Sequence, residues 1–373
     1  MRVRRAVATA LVAVCAGVLV GVPQASADAE RGNAPERGNA VQRGLDVLVR
    51  EDGFPAVLAA VREPGGRTRH YTASSVGRVP QNGQVRFGSN TKTFTAVVVL
   101  QLVGEGRLGL DDQVERYLPG IGLDGRGITV RDLLQQTSGL GDYDQALLGD
   151  LFGTLHRYFE PRELVDAGLA EPSETERGQW GYANTNYVLA GLLAQKVTGR
   201  PIGEEITKRV IEKLGLRDTY WPAVGEQRVR GEHPRGYLAL KRGDAWQDVS
   251  EMDTSAAWSA GALVGTPTDL NRFMTGLLGG ELLAPEQLAQ MRTTVDAPGF
   301  DLTGKARYGL GLATLALSCG GEAWTHGGLT PGYAVYNAVT TRGKAATVAV
   351  TGLPRDLVDV EHMESALDAA LCA

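Results

Sequence analysis

Apolar residues change their spacing twice along this chain. Phe54 to Val61 and Thr68 to Val76 are short runs rich in apolar and β-branched residues on either side of Pro64-Gly65-Gly66, which predicts a two-stranded hairpin. Ser89-Asn90-Thr91-Lys92 then leads into Ala96 to Val103, a run with no polar face, so the predicted helix is buried all round and ends at Gly104 and Gly106. From Asp111 to about Ser250 the spacing is helical, as in TVRDLLQQTSGL, PRELVDAGL and NTNYVLAGLLAQKVTG. A later helix begins at TPTDLNRFMTGLL, with Thr266 or Thr268 as its cap. Beyond it YGLGLATLAL, AWTHGG, YAVYNAVTT and AATVAVTG read as strands, the last two joined by Thr341-Arg342-Gly343-Lys344, before a helix from Val358 to Leu371. Strands at both ends around a helical middle predict an α/β (α+β) protein. Its antiparallel sheet is built from residues 41–110 and 255–373 and flanked by helices, with a helical insertion over 111–254.

The first forty residues follow other rules. Arg2, Arg4 and Arg5 precede an apolar stretch from Ala6 to Val22, and Ala25-Ser26-Ala27 offers small side chains for cleavage, so residues 1–27 read as an export signal with Asp28 as the new N-terminus. The alternative is a membrane anchor, for which the run lies at the short end. A lipoprotein is set aside because Val14 before Cys15 is too large. Glu30 to Ala40 is a duplicated polar hexad, so residues 28–40 are expected to form a flexible tether, with order beginning near Val41. Export leaves Cys319 and Cys372, and an oxidising space favours a disulfide over two buried thiols. The net charge of -5, with Lys and Arg clustered nowhere beyond the first five residues, argues against a nucleic-acid partner or an anionic membrane surface. The expected product is a secreted monomer without a stable membrane anchor.

Three polar clusters carry the candidate chemistry. Ser89 and Lys92 lie one helical turn apart at the head of an apolar helix, where an unpaired ammonium is costly and a neutral amine becomes a base for the hydroxyl. A pair on the surface would mean nothing. QWGYANTNYVLAG sets Tyr182 two residues before Asn184, a phenol for proton transfer beside an amide for lysine and substrate; a packed Tyr and a capping Asn are the plain alternative. Thr325-His326-Gly327-Gly328 ends a strand, and its glycines let a ligand approach the backbone. A Ser-His-Asp triad through His326 is disfavoured by the absence of a G-x-S-x-G elbow. No histidine pair has metal-ligand spacing, so neither metal nor organic cofactor is expected.

In this order the clusters Ser89-Asn90-Thr91-Lys92, Tyr182-Ala183-Asn184 and His326-Gly327-Gly328 resemble those of the secreted serine D-alanyl-D-alanine carboxypeptidases and class C β-lactamases, the penicillin-recognising serine hydrolases. The resemblance runs from about Gly44 to Cys372. It implies a β-lactamase/transpeptidase-like fold, Ser89 as acylated nucleophile, and Lys92 and Tyr182 sharing base and acid work. It further implies that Asn184 binds the substrate amide and that the N–H groups of Ser89 and Leu329 form an oxyanion hole. Trp258 would wall the cleft, and Cys319–Cys372 would match the disulfide of the carboxypeptidase branch. The implied substrates are D-Ala-D-Ala ends of peptidoglycan peptides, with β-lactams as acylating inhibitors; an esterase, β-lactamase or D-amino-acid amidase, or a non-catalytic penicillin-binding sensor, are the alternatives. Carboxypeptidases direct hydroxyls and an arginine at the terminal carboxylate, where this chain has Gly327, Leu329 and Ala313, leaving Thr330 or Arg307 to compensate. Gln136 stands where relatives commonly carry His.

Overall fold

The computed structural model describes residues 34–373, so the expected leader lies outside the described residues. An eight-stranded antiparallel sheet organises them. Its strands are β1 (Ala56–Arg62), β2 (Thr68–Ser74), β3 (Val295–Asp296), β4 (Arg307–Tyr308), β5 (Ala313–Ala316), β6 (Glu322–Thr330), β7 (Tyr333–Thr340) and β8 (Ala345–Val350). They run in the order β2-β1-β8-β7-β6-β5-β4-β3, so the N-terminal hairpin joins the C-terminal strands through β1 and β8, with Val57 opposite Val350. Both faces are covered, as the alternation along the strands requires. Val57, Ala59, Val348 and Val350 face one buried cluster with Leu45, Leu48, Met363 and Leu367. Leu58, Val335, Ala345 and Ala349 face another, with Phe94, Val98 and Leu270.

The first of those layers holds two helices, α1 (Ala34–Arg50) and, at the far end of the chain, α8 (Leu357–Cys372). The expectation that order begins near Val41 is corrected here: the helix starts at Ala34, within the first copy of the polar hexad, and takes in the whole of the second. Val41, Leu45 and Leu48 form a buried face at helical spacing, and Gly44 brings α1 against Ala366 of α8, so a docked stripe carries the polar turn that precedes it. The opposite layer holds α2 (Thr91–Gly104), α5 (Asn184–Thr198) and α7 (Pro267–Leu278), with α3 (Val130–Gln135), α4 (Pro161–Ala170) and α6 (Trp258–Gly261) around them. Every residue of α2 from Thr91 to Leu100 is buried. Thr266 rather than Thr268 caps α7, accepting from the Asp269 N–H at 3.2 Å. The segment YGLGLATLAL does not form one strand: between β4 and β5 the chain turns inward, the Gly311 N–H donates to Leu134 O at 3.1 Å, and the Gly311 carbonyl accepts from Thr93 Oγ1 at 2.7 Å. Among the described residues no helix is long and apolar enough to cross a membrane.

Cys319, in the turn between β5 and β6, is joined to Cys372 at the end of α8. Closing a loop of 53 residues stabilises the fold by about 4 kcal/mol in the chain-entropy model. Replacing both cysteines by serine is expected to lower the unfolding free energy by about 2–4 kcal/mol in a urea titration with unchanged cooperativity; equal midpoints for the two proteins would show that the bridge adds nothing.

Candidate active site

A single 3₁₀ turn, Gly88–Asn90, feeds directly into α2. It is pinned at both ends of the chain's topology, because the Asn90 side-chain amide donates to Phe87 O at 2.9 Å and to Val335 O of β7 at 3.0 Å. Ser89 is half-buried at the head of the helix, and one turn on Lys92 is fully buried. Lys92 Nζ lies 2.9 Å from Ser89 Oγ, 2.5 Å from Asn184 Oδ1 and 2.9 Å from Ala260 O. Two of these three neighbours are carbonyl oxygens, which can only accept. Burial brings the Lys92 amine down to about 7, against the opposing pull of Asp142 and Asp144.

Asn184 opens α5 and joins the lysine to these carboxylates. Its Nδ2 donates to Asp142 at 3.1 Å and to Asp144 at 2.7 Å, and its backbone N–H reaches Asp142 at 3.0 Å. Both amide hydrogens are thereby engaged within the protein, which leaves only the Oδ1 face for a substrate. Desolvation raises both carboxyls above their usual range, and their mutual repulsion adds to it for Asp144. Neither aspartate was singled out from sequence, since an acidic pair in GDYDQ looks like any solvated loop. The Lys92 contact to Ala260 likewise had no local signal.

Tyr182 sits on the side of Ser89 away from Asn184, its hydroxyl within hydrogen-bonding reach of the serine. Its ring centroid is 5.0 Å from Lys92 Nζ. Apolar surroundings push its phenol well above the ordinary value, ahead of the effect of Tyr308. Gln136, noted only as a departure in the sequence, is the bracket that holds this segment. In the left-handed region at φ 62°, it accepts from Gly181 N at 2.8 Å through its carbonyl, and through Oε1 from Ala183 N at 3.1 Å and Asn186 Nδ2 at 2.5 Å.

Strand β6 closes the third side. A Cβ on Gly328 would lie 1.9 Å from Phe87 O, and one on Gly88 would lie 2.8 Å from Leu329 N, so only glycines permit the strand to pass this close to the turn. His326 is buried and pushed down to about 3, chiefly by desolvation and then by Lys92. Its Nδ1 lies 2.6 Å from Gly327 O, an obligate acceptor, so Nδ1 carries the proton and Nε2 accepts from the Tyr308 hydroxyl at 3.0 Å. A Cβ on Gly327 would point to the ring of Tyr336, while Leu329 is 43% exposed. The two residues considered as compensating carboxylate ligands are occupied. Thr330 is buried with its hydroxyl 3.6 Å from Met252 Sδ, and Arg307 is held by Asp296 and by Thr294 Oγ1 at 2.9 Å. Trp258 begins α6 at φ 35°, a strained conformation for a bulky residue, and its ring rests on Gly191 of α5. There it lines a surface groove with Leu192 and Trp221 that contains none of the catalytic candidates.

Known proteins share this arrangement of elements. A D-stereospecific amidohydrolase from Streptomyces sp. superimposes with a TM-score of 0.81 at 36% identity, over 90% of this chain and 98% of that one. Penicillin-binding protein 4 of Amycolatopsis lactamdurans is 28% identical over 84% of this chain and 87% of its own length. Penicillin-binding protein 4* of Bacillus subtilis (strain 168) is 33% identical over 37% of this chain, and the match spans only 30% of that relative's length. The family model described as Beta-lactamase matches residues 39–370, and the chain accordingly belongs to that family of serine hydrolases.

Proposed function

We propose that this protein hydrolyses amide bonds of D-configured aminoacyl substrates through an acyl-enzyme on Ser89. The observation that carries the reading is the hydrogen bonding around Lys92. A neutral amine has two hydrogens and one lone pair; with Asn184 Oδ1 and Ala260 O taking the hydrogens, the lone pair is left for the Ser89 hydroxyl. Lys92 takes the seryl proton as Oγ attacks the carbonyl carbon. The developing oxyanion is received by the backbone N–H groups of Ser89 and Leu329, beside the N-terminus of α2. Tyr182, kept protonated by its surroundings, gives its hydroxyl proton to the leaving nitrogen and is reprotonated from Lys92. Water then displaces the acyl group by the reverse proton path.

The preference for an amide over a D-alanyl-D-alanine end rests on the engaged state of Arg307 and Thr330 and on the similarity to the Streptomyces amidohydrolase. A carboxylate lacking charge-assisted partners forfeits about 1.5–3 kcal/mol for each bond. The carboxypeptidase reading draws on the relatives named penicillin-binding proteins and remains the second candidate.

Product analysis on D-alanine amide, its L-isomer and a D-alanyl-D-alanine peptide is expected to show fastest turnover of the D-amide; exclusive release of terminal D-alanine from the peptide would replace this reading with the second. Ser89→Ala is expected to remove the acyl adduct seen by mass spectrometry with a slow substrate or a β-lactam, and an adduct that persists would exclude Ser89 as nucleophile. With the Lys92 amine as base, kcat/KM should rise with pH through about 7 as the ammonium loses its proton. Asp142→Asn removes the charge that most supports that ammonium, so the acid limb should move to lower pH; a limb that stays put would place the titration elsewhere.

A further inference from the structure

Rings surround the side of the nucleophile on which Tyr182 lies. Trp180 is 6.5 Å from Tyr182 and meets Phe300 edge-on at 6.3 Å. Phe300 in turn stands edge-on over Tyr308 at 5.3 Å and over His326 at 5.6 Å. Trp180 and Phe300 are only half-buried, so part of this aromatic cluster stays open to solvent. Both rings are carried on braced backbone. Gln136 holds the segment after Trp180. The loop bearing Phe300 is closed by Ala297 N to Ala306 O at 3.0 Å and tied to α8 by Leu302 N to Glu364 Oε1 at 3.4 Å.

The rings that form the corner carry no charge, although Asp301 and Arg307 adjoin Phe300 and Tyr308 in sequence. His326 spends its only N–H on Gly327 O and is neutral, and the nearest arginines in sequence, Arg177 and Arg307, are paired with Asp132 and Asp296. Its place in the reaction follows from proton transfer: the group that protonates the departing nitrogen must face it, so side chains clustered around Tyr182 flank the leaving group and not the acyl group. We infer that Trp180 and Phe300, with Tyr308 and His326 behind them, form an uncharged aromatic subsite for the leaving group, selecting amides whose departing amine bears an aromatic or bulky apolar group and no carboxylate. The inference rests on the amidase mechanism above for its orientation. The carbonyl C–N bond breaks as the Ser89 ester forms, the Tyr182 proton goes to nitrogen, and the neutral amine departs into the ring-lined corner.

Three substrates sharing the D-alanyl group test this: the simple amide, the benzylamide and D-alanyl-D-alanine. The benzylamide is expected to exceed D-alanyl-D-alanine in kcat/KM by about ten-fold or more. In Phe300→Ala, and more mildly in Phe300→Leu, the loss on the benzylamide should be about ten-fold greater than the loss on the simple amide. Equal losses on all three would reduce Phe300 to a structural part and overturn the assignment. Calorimetry on Ser89→Ala ranks binding without turnover and also decides the matter where a Phe300 variant does not fold; tighter binding of D-alanyl-D-alanine than of the benzylamide would overturn it as well. Should the wild-type protein hydrolyse none of the three while Ser89→Ala still favours the benzylamide, the amidase reading fails and takes the leaving-group role with it, leaving only an apolar binding corner; hydrolysis of all three without a preference for the benzylamide would overturn the subsite while the amidase reading stands.

Discussion

The structure depends on the removal of one ammonium group from water. Lys92 is enclosed on a helix without a polar face, and each unit by which its titration falls below the ordinary lysine value costs about 1.4 kcal/mol of folding free energy, a few kcal/mol in all. Between about 7 and 10.5 the folded chain binds fewer protons at this amine than the unfolded one, so the penalty is full below about 7 and fades as pH rises towards 10.5. A disulfide, a two-sided sheet and a wholly buried helix offset that cost. The three hydrogen-bond partners of Lys92 come from three elements, which is why so much tertiary structure surrounds one side chain.

Much of this was legible in the sequence where the signal is local. Ser89 and Lys92 are three residues apart on one helix, and their closeness needs only helical geometry. The sheet came from short apolar, β-branched runs bounded by turn residues, and the helical insertion from apolar residues at helical spacing. The start of α1 was not legible, because its polar first turn is stabilised by packing of Val41, Leu45 and Leu48 on a helix at the other end of the chain. The single strand expected from YGLGLATLAL fails for a similar reason: its middle is drawn to Leu134 and Thr93, neither of which is near in sequence. Gln136, Asp142, Asp144, Ala260 and Tyr308 have ordinary local surroundings and gain their roles only from partners tens to hundreds of residues away.

The electrostatics divide around Ser89. On the Asn184 side, one amide is hydrogen-bonded to two carboxylates and an amine, a coupled set whose titration belongs to the group as a whole. On the Tyr182 side, rings and a neutral imidazole leave no net charge. The two halves still feel each other across Ser89, because Lys92 lies 5.0 Å from the Tyr182 ring and helps to hold the His326 imidazole neutral.

The approach of β6 to the Gly88 turn joins backbone separated by some 240 positions, with no side chain between them. The surroundings of Ser89 are therefore complete only where both ends of the polypeptide have met, so the site cannot be assembled from either half of the chain alone.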